Sequence, residues 1–177
     1  MSLRVLWSAL VMAFATSAAS AAPSVALIED APWSPGDAPR DGAAELGVLL
    51  QLAQLQKAQP VVGLVGVGDH RGIFQDGTQR GFEFAIKQGV PVVRLARGPR
   101  ACSPAKTDLF IDGGSLSPDA AVALLSKCLA RYGALPKVQS PRQPTKHELK
   151  ALRAKLALYR AAFTSQQPAT AAMVAMR

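Results

Sequence analysis

The chain reads as a small α/β protein, a doubly wound, Rossmann-like sandwich of about four parallel strands with an amphipathic helix near the C-terminus. Three observations predict this. Short apolar runs alternate with longer segments of helical spacing, the order that builds a parallel sheet through crossovers. The runs are continuously apolar, as strands are when helices cover both faces of their sheet. Between them lie stretches rich in Pro, Asp and Gly, which suit turns rather than regular structure. Right-handed crossovers then close the sandwich.

The first stretch, "MSLRVLWSALVMAFATSAASAAPS", is not part of that domain. Arg4 and the free amine form a positive start, Leu6 to Ala15 is apolar, and Ala19-Ser20-Ala21 suits cleavage. This is the layout of a secretory signal peptide, and its apolar run is too short for a membrane span. Residues 1–21 are therefore expected to be removed, leaving a periplasmic or secreted chain.

"SVALIE" (24–29) is the first strand, and "DAPWSPGDAPRDG" (30–42) is a loop. In 43–58, Leu46, Leu49, Leu50 and Leu52 or Ala53 share one helical face. "PVVGLVGVG" (60–68) is the second strand. "FQDGTQRGFEFAIKQG" (74–89) is a helix with Phe82, Ala85 and Ile86 inward and Gly89 at its C-terminal cap. "VPVVRLA" (90–96) is the third strand, and the basic, turn-rich 97–107 leads to "DLFID", the fourth. Ser117 then caps a helix over 118–131, with Pro118 in its first turn. Gly113 and Gly114 supply a tight turn between them. A strand, a glycine turn and a helix can cradle phosphate, but no lysine or further glycines complete such a site here.

The α/β domain spans 22–134, and 135–177 holds a proline-bearing linker, a basic helix and a patternless end. Thr145 and Glu148 fit a capping box. Leu149, Leu152, Leu156, Tyr159 and Phe163 form a stripe at helical spacing, which predicts docking on the domain with the lysines solvated. The formal charge of +8 is concentrated in this segment. Residues 22–136 hold eleven basic and eleven acidic side chains, whereas 137–177 hold eight basic ones and Glu148. A basic helix could touch acidic lipid, nucleic acid or a partner, as an adaptor at an anionic surface would. With its stripe docked, no nucleic-acid partner and no more than weak tail contact with a membrane are expected.

Cys102 and Cys128, in an oxidising compartment, permit one disulfide; the alternative is a loop thiol and a buried helix thiol. The loop 97–107 returns from the end of the third strand to the start of the fourth, and the helix bearing Cys128 runs back in the same direction, which could bring the sulfurs within reach. The two are too far apart in sequence, and too short of histidines, for a zinc site. His70 has only His147 as a companion, so neither a metal nor a cofactor is expected.

"KQGVPVVRLARG" (87–98) and "LFIDGGSLSPDAAVALLSKCLA" (109–130) resemble the small, C-terminal domain of bacterial L-asparaginases and glutaminases. Gly89-Val90-Pro91-Val92-Val93-Arg94 is similar to that family's third small-domain strand. Gly114-Ser115-Leu116-Ser117-Pro118 is similar to its glycine turn and helix start. "PVVGLVGVGDHRG" and "PSVALIEDAPWSPGD" resemble the preceding strands and loops, so the likeness covers roughly 23–132 in order. The resemblance implies a domain whose catalytic partner is absent. The family's nucleophilic threonines lie in a larger N-terminal domain, in Thr-Gly-Gly-Thr and Gly-Thr-Asp motifs that this chain lacks. Thr107-Asp108 sits instead at the entrance of the fourth strand. The resemblance also implies that small-domain side chains reach a neighbouring subunit's site. One is a polar residue after the second-strand glycines, where this chain has Asp69 and His70. Another is an acid in the loop before the fourth strand, where "GPRACSPAKT" offers Arg100 and Lys106 and no acid.

Four residues are thus candidates for binding a small amino acid or dicarboxylate: Asp69, His70, Arg94 and Arg97. All lie at carboxyl ends of strands, where open α/β sheets bind ligands. Asp69 and His70 could exchange protons, or form a solvated loop tip. Arg94 and Arg97 could meet a carboxylate in two-point contacts, or pair with Asp112 or Asp76. Trp33 could cover a cleft or pin its own loop. No catalytic residue is assigned. The expected role is ligand binding or assembly, as a homo-oligomer or with a separate subunit. The competing role is an amidohydrolase completed by a neighbour.

Overall fold

A computed structural model of the chain describes residues 24–30, 60–98, 102–104 and 107–166. The signal segment, the helix expected over 43–58, Trp33, Arg100, Lys106 and the end beyond Gln166 lie outside the described residues. Within them run β1 (Ser24–Glu29), β2 (Val61–Val67), α1 (Asp76–Lys87), β3 (Val92–Leu95), β4 (Ile111–Asp112), α2 (Pro118–Tyr132) and α3 (Lys146–Gln166). The strands form one parallel sheet in the order β1-β2-β3-β4.

Two glycines of β2 show how the sheet is covered. A Cβ at Gly63 would lie 2.9 Å from Leu129 and 3.0 Å from Leu125 of α2. A Cβ at Gly66 would lie 2.8 Å from Phe74 and from Phe82 of α1. Residues three apart on a strand face opposite sides, so α1 and α2 cover opposite faces. Each packs closely because β2 has no side chain beneath it. The strand order contains no reversal, and the second face is filled by α2 returning after β4. The crevice that a reversal opens at a switch point is therefore not formed between the described strands.

The core lies between these layers and includes Leu64, Val65, Phe82, Ile86, Val92, Val93, Ile111 and Leu125. The α3 stripe belongs to the same core: Leu152, Leu156, Tyr159 and Phe163 have 0% exposure. Burial of such side chains contributes roughly 1.5–3 kcal/mol each, so α3 is part of the domain rather than an appendage. The Tyr159 hydroxyl donates to the Gly133 carbonyl at 2.5 Å, and burial pushes its pKa up to about 12. The proline-bearing stretch before α3 is packed as well. Leu135 and Val138 are buried, and their amides donate to the carbonyls of Gly89 (3.1 Å) and Lys87 (2.8 Å).

The caps follow the sequence. Ser117 Oγ accepts from the Ala120 amide at 3.3 Å. Glu148 Oε2 accepts from the Thr145 amide at 2.8 Å, and Thr145 Oγ1 accepts from the Glu148 amide at 3.2 Å. Gly89 takes φ +97° just beyond α1. The strand expected over 108–112 shortens to Ile111–Asp112. Leu109 and Phe110 are buried, but no ladder continues beside them. Arg160 of α3 supplies donors there instead, with Nε on the Phe110 carbonyl at 3.1 Å and Nη2 on the Asp108 carbonyl. The open edge of the sheet is thereby covered by a helix and a guanidinium.

Candidate functional site

The loop after β2 holds the first two candidates. Asp69 Oδ1 accepts from the amides of Arg71 and Ile73, both at 2.8 Å. Its backbone is equally engaged: the Asp69 carbonyl accepts from Gly72 at 2.9 Å and Arg97 at 2.8 Å. Partial burial opposes ionisation of the carboxyl, but the Ile73 and Arg71 amides and the nearby His70 and Arg71 charges outweigh it and lower the pKa. This is an Asx-type turn, in which a short carboxylate replaces missing backbone partners. Gly72 completes it at φ +71°, where a Cβ would lie 2.5 Å from Cys102 Sγ. His70 stands outside with its side chain 66% exposed and its Nδ1 3.9 Å from Asp69. Asp69 and His70 are neighbours, but the aspartate is committed to the loop.

Arg97 is likewise committed, through Nη2 to the Asp30 carbonyl at 2.7 Å. The Asp30 side chain holds the start of α1, accepting from the Gln75 amide at 2.9 Å and from Thr78 Oγ1 at 3.0 Å. An anion at a helix start is favourable because the first amides lack intrahelical partners. Asp30 was not among the sequence candidates. Its signal was an acid one residue past a strand, at the end of the sheet where the next helix begins.

Arg94 behaves differently. It is 4% exposed, and it shares a register with Gly66 and Asp112 on either side. Its Nη2 donates to the Ser103 carbonyl at 2.5 Å, while Nη2 to Asp112 Oδ2 and Nη1 to the Gly72 carbonyl are both long, at 3.4 Å. Its Nε is buried with no hydrogen-bond partner. The Asp112 side chain is 49% exposed, and its Oδ1 accepts from Gly114 at 2.9 Å. The glycine turn after β4 is thus held by Asp112, in keeping with a structural reading, and Asp112 only partly balances Arg94.

Arg94 reaches two spaces. One is a small pocket of about 40 Å³ beside Gly72, Phe74, Pro104 and Phe110. The other is an open cleft of about 650 Å³ along the β4 edge, lined by Arg94, Thr107, Asp108, Phe110, Asp112, Arg153 and Arg160. On its α3 side, Arg153 Nε meets Asp108 Oδ2 at 2.7 Å. Arg153 and Arg160 are seven residues apart, two helical turns on one face. That spacing was legible, but nothing in the sequence separated these two from the other basic residues of the helix. Of the four candidates, only Arg94 lines this cleft.

The two cysteines are separate thiols. Cys102 Sγ lies 3.5 Å from the Arg94 carbonyl, at the carboxyl end of β3, and burial, followed by Asp112, pushes its pKa up to about 12. Cys128 is buried in the last turns of α2, where burial also raises its pKa. Of the two readings of the cysteines, the structure has the loop thiol and the buried helix thiol, and α2, expected over 118–131, runs Pro118–Tyr132. The helix runs antiparallel to the strands and carries Cys128 to the opposite end of the sheet.

Among the described residues, no group of three or more His, Cys, Asp or Glu is placed to hold a metal ion. No helix there is long and apolar enough to cross a membrane.

No family model matches the chain, and no curated protein matches it. Among solved structures the chain is similar to one described as a probable cytoplasmic L-asparaginase from Campylobacter jejuni, at 19% identity and a TM-score of 0.46. The match covers 76% of this chain and 37% of that one, so this chain spans little more than a third of that protein's length.

Proposed function

We propose that the chain is an exported unit built like the small domain of bacterial asparaginases and glutaminases. In this reading it is non-catalytic by itself and serves to bind a small polar molecule or to assemble with a second copy or a partner subunit. The resemblance of its ordered motifs supports the kinship. Gly89 to Arg94 leads into β3, and Gly114 to Pro118 joins β4 to α2, each on the element its motif suggests. The observation that carries the non-catalytic role is the engagement of Asp69. Hydrolysis of an amide needs a nucleophile, a proton acceptor and an oxyanion site. The acid best placed to accept a proton beside His70 instead holds the amides of Arg71 and Ile73.

The test is ammonia release by the purified mature protein from asparagine and from glutamine. None above buffer is expected. Release that disappears in Asp69→Ala and His70→Ala would replace this reading with that of an amidohydrolase. Export is tested by intact mass of protein from the periplasm, which is expected to begin at Ala22.

A further inference from the structure

We propose that the cleft along the β4 edge is a binding site for a small dicarboxylate, held between Arg94 on the sheet and Arg153 and Arg160 on α3. This rests on the small-ligand form of the function proposed above and gives it a place.

Three features of the cleft converge on this ligand. The first is charge. Its lining carries three guanidinium groups against the carboxylates of Asp108 and Asp112, an excess of one positive charge. The second is the state of Arg94. A buried guanidinium needs its donors filled, yet Arg94 has one short bond, to Ser103, two at 3.4 Å, and an empty Nε. Asp112, half exposed and sharing itself with Gly114, is a weak counter-ion that an incoming carboxylate can supplant. The third is shape. About 650 Å³ falls in the range of small-molecule sites, and its cationic groups stand on two walls. One carboxylate of the ligand meets Arg94. The other meets the Nη1 groups of Arg153 and Arg160, one from each, because Nε and Nη2 of Arg153 already hold Asp108 and those of Arg160 the Phe110 and Asp108 carbonyls. Phe110 lines the space between and suits a short carbon chain.

Succinate is the probe, titrated calorimetrically into the full mature chain, with neutral succinamide as its control. Saturable one-to-one binding of succinate, weakening with salt, is expected, and none of succinamide. Arg153→Gln, at an exposed position, is expected to weaken binding tenfold or more, and Arg160→Gln to do the same. Asp112→Asn removes the competing carboxylate, so it is expected to tighten binding several-fold even though it loosens the turn. A purely structural role would not produce that opposite sign. Succinate binding that ignores all three substitutions would overturn the cleft and leave ligand binding elsewhere on the domain standing. No succinate binding by the wild type would overturn the cleft and leave assembly as the role.

Discussion

The loop after β2 and the edge beside β4 are both polar regions on one small sheet, and they use their charges in opposite ways. In the loop, Asp69 Oδ1 accepts from two backbone amides at 2.8 Å while Oδ2 faces Arg71 at 3.7 Å, and Arg97 is tied to Asp30. These side chains stand in for backbone that has left the sheet. At the edge, Arg94 is more deeply buried yet incompletely paired. An acid and a base at strand ends are therefore not equivalent signs of a site. The short aspartate folds back on its own loop, whereas the long arginine reaches past its strand to a cleft.

The sharpest way to break this comparison is to detach the wall that α3 gives the edge. Phe163→Ala is expected to cost about 3–5 kcal/mol, read as a lowered urea midpoint. An unchanged midpoint would make α3 an appendage and the cleft an accident of its position. Asp112→Ala comes next. Removing one partner of a buried pair is costly, but Asp112 is half exposed, so about 2 kcal/mol is expected after solvent screening. Asp69→Ala is expected to cost about 1–2 kcal/mol, for two amides left unpaired.

Acid sharpens the contrast further. The carboxyl of Asp69 has a folded pKa below its usual 3.8. Its ionised form therefore stabilises the fold fully above that value, and the contribution is lost as pH falls through the lower folded value. Asp69→Asn should then lie below the wild type in stability at pH 6, and the gap should narrow as pH falls below 3.8, as followed by urea titration at each pH. Smallest of all, His70→Ala at the exposed loop tip is expected to change stability by less than about 0.5 kcal/mol. A larger loss would mean that the His70–Asp69 contact holds the loop more than the Asx turn does.

Much of the fold was legible because burial writes itself into sequence as period and cap. The stripe from Leu152 to Phe163 predicted docking, and the pairs Ser117–Pro118 and Thr145–Glu148 marked helix starts that the hydrogen bonds bear out. The fourth strand was overread, since Leu109 and Phe110 are apolar for the core, but the carbonyls of Asp108 and Phe110 are served by Arg160 rather than by a neighbouring strand. The disulfide expectation failed because spacing alone does not tell which end of the sheet a helix reaches. The site was only partly legible for a related reason. Arg94 and its pairing with Asp112 could be named from strand ends, but Arg153 and Arg160 reach the β4 edge only through contacts with Asp108 and Phe110 that span 45 and 50 residues of chain.

Those same contacts set an order of events for a chain made from its N-terminus. The four strands and α2 are complete by Tyr132, yet the groups that finish the β4 edge arrive only with Arg160. Closing so long a loop is slow relative to forming local helices. Until it closes, β4 offers its free backbone groups to any strand that meets it, including the β4 of another unfinished chain. The last helix thus sets timing as well as packing, and a chain stopped before Thr145 would keep that edge open to other strands.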